Sequence, residues 1–143
     1  MRKLFMILIF AGLPGLATNH PQKCVYLPSG RILKPYEDIC RAVAVYESGN
    51  DPNRLNRQEM AFGLYQIRQP MLTEFNRSTG KAYVLQEMFN KNKSKEVFIW
   101  HASQFRPEEV EKISRTWNGG RRGMRKTSTK KYFEKINIIL ESF

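Results

Sequence analysis

The chain has 143 residues, a formal net charge of +11, two cysteines and two histidines. That length allows one hydrophobic core and excludes two independent domains, and so few histidines and cysteines exclude a zinc-ligand constellation. The excess of Lys and Arg favours a polyanion as partner: nucleic acid, anionic lipid headgroups or acidic wall polymers.

Residues 1–17 have the pattern of a secretory signal. Arg2 and Lys3 precede an unbroken apolar run over residues 4–10, which Gly12, Pro14 and Gly15 break before the small-x-small site Gly15-Leu16-Ala17. The run is too short to span a bilayer, so cleavage after Ala17 is expected, with the mature protein in the periplasm or cell envelope. Export makes acidic wall polymers the best match to the charge and leaves nucleic acid an unexpected partner. Loss of Arg2 and Lys3 lowers the formal charge to +9, much of it in Arg121-Arg122, Arg125-Lys126 and Lys130-Lys131. The bland alternative is a solvated basic face that aids solubility.

Residues 18–34, rich in Pro, Gly and Ser, form an irregular lead-in. Cys24 and Cys40 make an even count in an exported chain, which predicts a disulfide stapling the lead-in to the first helix; two buried free thiols are the alternative. That helix is expected over residues 35–48, with Pro35 at an early position and Tyr36, Ile39, Val43 and Tyr46 on one apolar face. Residues 50–60 are polar and broken by Pro52, a loop or small two-stranded excursion. Residues 61–67 are apolar around Gly63, which implies close backbone packing or a special turn.

A second helix is predicted over residues 71–77 and a third around Leu85, Met88 and Phe89. A fourth is capped by Ser94, with Val97, Phe98, Trp100, His101 and Phe105 on its apolar face. Pro107 opens a fifth, in which Val110, Ile113 and Trp117 face inward and Asn118-Gly119-Gly120 ends the run. A last helix covers residues 129–140. The fold class is therefore mainly α, with a small β-like or irregular insertion after the first helix. His101, one turn from Val97 and Phe98, reads as a satisfied helix-face histidine rather than a ligand. No metal or cofactor is expected.

Glu47 stands where the first apolar stripe gives way to the turn residues Ser48-Gly49-Asn50-Asp51-Pro52. A carboxyl with mostly apolar neighbours at a cleft edge has a raised pKa and stays protonated, as a general acid requires. A solvated helix-end glutamate is the alternative.

Four blocks in order carry a resemblance. They are Glu47-Ser48 with Asp51-Pro52, then Ala61-Phe62-Gly63-Leu64-Tyr65-Gln66-Ile67, then Thr116-Trp117-Asn118-Gly119-Gly120, and last Thr129, Tyr132 and Ile136. Together they resemble the soluble lytic transglycosylase domain family, whose fold is related to goose-type lysozyme, over residues 35–136. The resemblance implies a lysozyme-like α+β catalytic domain over residues 35–143. Glu47 would be its sole catalytic carboxylate. It would protonate the glycosidic oxygen between N-acetylmuramic acid and N-acetylglucosamine, then take the proton from the muramoyl 6-hydroxyl to close a 1,6-anhydro ring. Gln66 and Asn118 would line the sugar groove, Tyr132 would hydrogen-bond near Glu47, and Ser48 would hold the helix end against its neighbours. From their chemistry, Tyr65 and Trp117 offer faces for sugar stacking, with core packing the alternative for Trp117, and Asn56 can hydrogen-bond a sugar or the backbone. Peptidoglycan strands would be the partner of a monomeric enzyme. A small exported domain of this type suits a secretion or conjugation machine, wall turnover or a phage, and the sequence selects none of these.

The chemistry agrees with the residues. Glycoside cleavage ordinarily uses two carboxylates; with one, the nucleophile must come from the substrate. Amide side chains suit N-acetyl and hydroxyl groups because each both donates and accepts. The departures from the family pattern are Tyr65 in place of methionine, Trp117 in place of tyrosine, Asn56 in place of a loop serine, and a loop one residue longer between Glu47 and Gln66. They raise a second reading, a hydrolytic muramidase in which Asp51 or Glu59 positions water. A third is a non-catalytic binding protein for cell-wall glycan or nucleic acid.

Overall fold

A computed structural model describes residues 36–143 in full, together with the backbone of Val25–Tyr26 and Ile32–Leu33. The expected signal over residues 1–17, most of the lead-in, Pro35 and Cys24 lie outside the described residues. The elements run β1 (Val25–Tyr26), β2 (Ile32–Leu33), α1 (Glu37–Ser48), β3 (Leu55–Asn56), β4 (Ala61–Phe62), α2 (Gln69–Thr79), a 3-10 turn (Leu85–Phe89), α3 (Lys91–Ala102), α4 (Val110–Gly119), a second 3-10 turn (Gly120–Arg125) and α5 (Thr127–Glu141). The architecture is mainly helical, with two antiparallel strand pairs of two residues each.

Helix α1 starts later than the sequence suggests. Tyr36 takes a left-handed φ of 58° and caps the helix from outside, while its hydroxyl donates to the Phe105 carbonyl at 2.6 Å. A side chain bonded across the fold holds a conformation that L-residues otherwise avoid. Ile39, Cys40, Ala42, Val43 and Ala44 are buried, and α1 packs on α5. Tyr46, expected on the buried face, is 43% exposed. Gly49 and Asn50, both left-handed at φ 67° and 65°, then end the helix. Their N–H groups close on the Val45 and Ala44 carbonyls at 2.9 and 3.2 Å, which satisfies otherwise orphaned acceptors.

The excursion after α1 is a hairpin, with Leu55 opposite Phe62 and Asn56 opposite Ala61. Phe62 then pairs with Ile67 across a tight turn, in which Gly63 has φ 74° and Gln66 φ 50°. A Cβ on Gly63 would overlap the Met88 carbonyl, so the hairpin base sits directly on the first 3-10 turn. Close packing at Gly63 is thus as expected.

One cap, one helix end and one helix type differ from the sequence reading. Asn90, not Ser94, caps α3, accepting from the N–H groups of Asn92 and Lys93; Ser94 is inside the helix, buried, with its Oγ unpartnered among the described residues. An Asn side chain reaches the free N–H groups of the first turn better than a residue one turn further in. Phe105 lies beyond the end of α3 and packs its ring on His101. The expected third helix is only the 3-10 turn Leu85–Phe89.

Cys40 is a free thiol, 1% exposed, with burial pushing its pKa up to about 12. Cys24, the other half of the expected Cys24–Cys40 disulfide, lies outside the described residues. His101 Nε2 lies 3.2 Å from the Ile113 carbonyl and 3.1 Å from Thr116 Oγ1, and burial lowers its pKa. It is a satisfied core histidine.

Candidate active site

A cleft of about 590 Å³ runs between the end of α1, the β3–β4 hairpin, the start of α2, the end of α4 and α5. Glu47, in the last turn of α1, lines it and is partly buried. Tyr132, 5% exposed on α5, donates its hydroxyl to Glu47 Oε1 at 2.8 Å. The two residues are 85 positions apart, and the α1–α5 packing brings them together. Tyr46 sets its ring edge-on to Tyr132, with centroids 5.0 Å apart.

Burial raises the Glu47 carboxyl from 4.5 to about 7. The Tyr132 hydrogen bond and the Arg68 charge oppose that rise, and the Glu59 charge adds to it. Desolvation therefore wins over two stabilisers of the anion. Near neutral pH the group is poised between giving and taking a proton, which general acid–base work in sequence requires.

Gln66, Asn118 and Asn56 all line the cleft. Gln66 donates both amide hydrogens inward, to the Gly63 carbonyl at 2.9 Å and the Arg54 carbonyl at 3.2 Å. That fixes its rotamer and leaves Oε1 as the group to meet a ligand. Asn118 closes α4 with its carbonyl accepting from Arg68 at 3.2 Å. Asn56 uses its side-chain oxygen to accept from Gln58 and Glu59 N–H groups at 3.1 and 3.2 Å; it shapes the hairpin tip as an Asx turn.

Two expected site residues lie elsewhere. Tyr65 is 2% exposed, stacks on Phe98 with centroids 4.9 Å apart, and shares a hydrogen bond with the Cys40 thiol. The tight turn at residues 62–67 aims it into the core, away from the cleft. Ser48 does not line the cleft either; its Oγ sits 3.0 Å from the Ala44 carbonyl and 2.9 Å from that of Leu64. It ties the end of α1 to the segment after the hairpin, the holding role anticipated for it.

The two carboxylates considered as water-positioning partners also separate. Asp51 accepts from the Asn53 N–H at 2.9 Å and serves the turn after α1, outside the cleft lining. Glu59 lines the cleft on the exposed hairpin, 3.7 Å from Arg68. Among the described residues no cluster of three or more His, Cys, Asp or Glu could hold a metal ion.

Sequence alone does not assign Arg54, Arg68 or Lys126 to the site, yet all three line the cleft. Arg68 spans it, from Asn118 on one wall to Glu59 on the other. Its only sequence signal is a position two residues after Gln66. Trp117 has a double part. It packs edge-on to Phe98 and His101 at 4.9 and 5.2 Å, yet also borders the cleft.

The rim beside Asn118 is built by a buried arginine. Arg115 donates to Thr129 Oγ1 at 3.1 Å, Glu111 at 2.6 Å, and the Met124 and Lys126 carbonyls at 2.8 and 3.3 Å. Thr129 in turn donates toward the Gly123 carbonyl at 2.6 Å. A Cβ on Gly123 would overlap the Arg115 carbonyl, so this turn closes only with glycine there. No family model, curated protein or solved structure matches the chain.

Proposed function

We propose that this protein is an exported peptidoglycan lytic transglycosylase with a lysozyme-like fold, acting as a monomer on glycan strands in the cell envelope. The observation that carries the reading is the Glu47–Tyr132 pair: a desolvated carboxyl with a pKa near 7, lining a cleft with amide side chains along its walls. Glu47 in its acid form protonates the departing glycosidic oxygen. The carboxylate so formed accepts a hydrogen bond from Tyr132 and then removes the proton of the muramoyl 6-hydroxyl, whose oxygen attacks the anomeric carbon. The glycosidic C–O bond breaks, the intramolecular C–O bond forms, and Glu47 regains its proton. The free edges of Gln66 and Asn118 suit N-acetyl and hydroxyl groups.

Glu59 supports a second reading, hydrolysis. It is a carboxylate on the same cleft, and an inverting mechanism needs such a group to activate water. Its pairing with Arg68 at 3.7 Å favours the first reading, because the arginine engages the carboxylate that would have to hold the water. Mass spectrometry of peptidoglycan digested by the purified protein separates the two. Anhydromuramoyl ends are expected; reducing muramic ends alone would assign hydrolysis, and no cleavage at all would reject both.

A further inference from the structure

The net positive charge of residues 36–143 is confined to one strip. Residues 120–135 hold seven Arg and Lys against one acid, Glu134, a formal charge of +6. The rest of residues 36–143 holds twelve cations and twelve acids and balances. In that remainder, several cations are matched locally, as in Lys81–Glu96, Lys93–Glu87, Arg106–Glu109 and Arg115–Glu111. Within the strip only Arg121 has an acidic partner among the described residues, Glu74 at 2.7 Å. Arg122, Arg125, Lys130, Lys131 and Lys135 are exposed and make no ion pair among the described residues.

Its position matters as much as its charge. The strip begins at the cleft rim, where Gly119, Gly120 and Lys126 are lining residues, and continues along α5. That helix turns Tyr132 inward to Glu47 and Lys130, Lys131 and Lys135 outward. A polymer leaving the cleft over this rim would pass unpaired cations.

We propose that the strip 120–135 is a docking surface for the anionic wall polymer whose glycan occupies the cleft, held through the carboxylates that its strands carry. This rests on the glycan reading of the cleft but is tested apart from it. Unpaired cations beside a binding groove raise the local concentration of an acidic polymer and speed its capture, an effect that salt removes. Exposed Met124 and Ile138 also lie on or near the strip. They are single side chains, whereas the continuity with the cleft is shared by the whole strip, so a polymer fits better than a bilayer.

The experiment is co-sedimentation of the Glu47→Gln protein with purified sacculi, which reads binding without cleavage. Two triple variants are compared on that background: Arg122→Gln/Lys131→Gln/Lys135→Gln on the strip, and Arg77→Gln/Lys91→Gln/Lys95→Gln elsewhere, with equal change in net charge. The strip variant should lose about tenfold in affinity at low ionic strength, with the difference fading at high salt. The second variant should bind as the parent does, and sacculi with amidated carboxyls should bind the parent poorly. Equal loss in both variants, or no loss, overturns the proposal. So does tighter binding to phosphatidylglycerol vesicles or to DNA than to sacculi. If the strip variant is misfolded by circular dichroism, the amidated sacculi and the salt titration of the parent decide the matter. Absence of anhydromuramoyl products from the wild type would defeat the glycan-cleavage reading while leaving the binding result to stand on its own.

Discussion

Two glutamates line one cleft, and their surroundings give them opposite characters. Glu47 ends a helix packed on another helix, is desolvated, and meets a tyrosine hydroxyl. Glu59 follows a two-residue strand on an exposed hairpin and meets an arginine. The same side chain is thus poised at neutral pH on the helical wall and held against a cation on the hairpin wall. Burial and partners decide the chemistry more than residue type does.

Substitution of the helical wall should have the largest effect. Glu47→Gln keeps the shape but has no proton to give, and cleavage of sacculi should fall by about a thousandfold or more. Retained turnover would transfer the acid role away from this wall. The same variant reports the linkage. Because the folded-state pKa lies above the ordinary 4.5, Glu47 favours the fold fully below pH 4.5, and that contribution is lost as pH rises through about 7. Glu47→Gln should therefore melt higher than wild type above pH 7, by an amount corresponding to on the order of 1–2 kcal/mol. A thermal melt series across pH 4–9 measures it.

Gly63→Ala strikes the hairpin wall. The added methyl meets the Met88 carbonyl at a left-handed φ, and the cost should be about 2–4 kcal/mol in urea unfolding. An unchanged midpoint would mean that the hairpin base does not rest on the 3-10 turn. Tyr132→Phe removes the hydrogen bond that favours the Glu47 anion. The pH at which activity falls should move upward, with a loss of about tenfold at neutral pH. No movement of the pH profile would sever the pair.

The smallest change is expected from Glu59→Gln. Its charge raises the Glu47 pKa, so removing it should shift the alkaline limb of the profile down by a few tenths of a unit, with turnover changed by less than about threefold. Loss comparable to that of Glu47→Gln would establish the hydrolytic reading.

What was legible in the sequence is what short-range chemistry determines. The end of α1 just after Glu47, the close approach at Gly63 and the inward run of α4 all follow from glycine placement and 3.6-residue spacing. Tyr132 was legible only through its resemblance to a pattern, since nothing local says that an α5 tyrosine reaches α1. Tyr65 misled because adjacent residues in a tight turn point in different directions, and one neighbour, Gln66, enters the cleft while the other enters the core. Arg68 and Arg115 were silent for a common reason. Each ties separate segments together, Arg68 through the Asn118 carbonyl and the Glu59 carboxylate and Arg115 through the Met124 and Lys126 carbonyls, and a lone arginine carries no spacing signal for that.

Arg115 has one more consequence. A single guanidinium ties α4, the turn at residues 120–125 and the start of α5, so the cleft rim and the basic strip share a fastening. In amide hydrogen exchange, the Met124, Lys126 and Thr129 region should open as a single cooperative unit. Arg115→Lys, which has three donors in place of five, should speed exchange there while leaving the α1 amides protected.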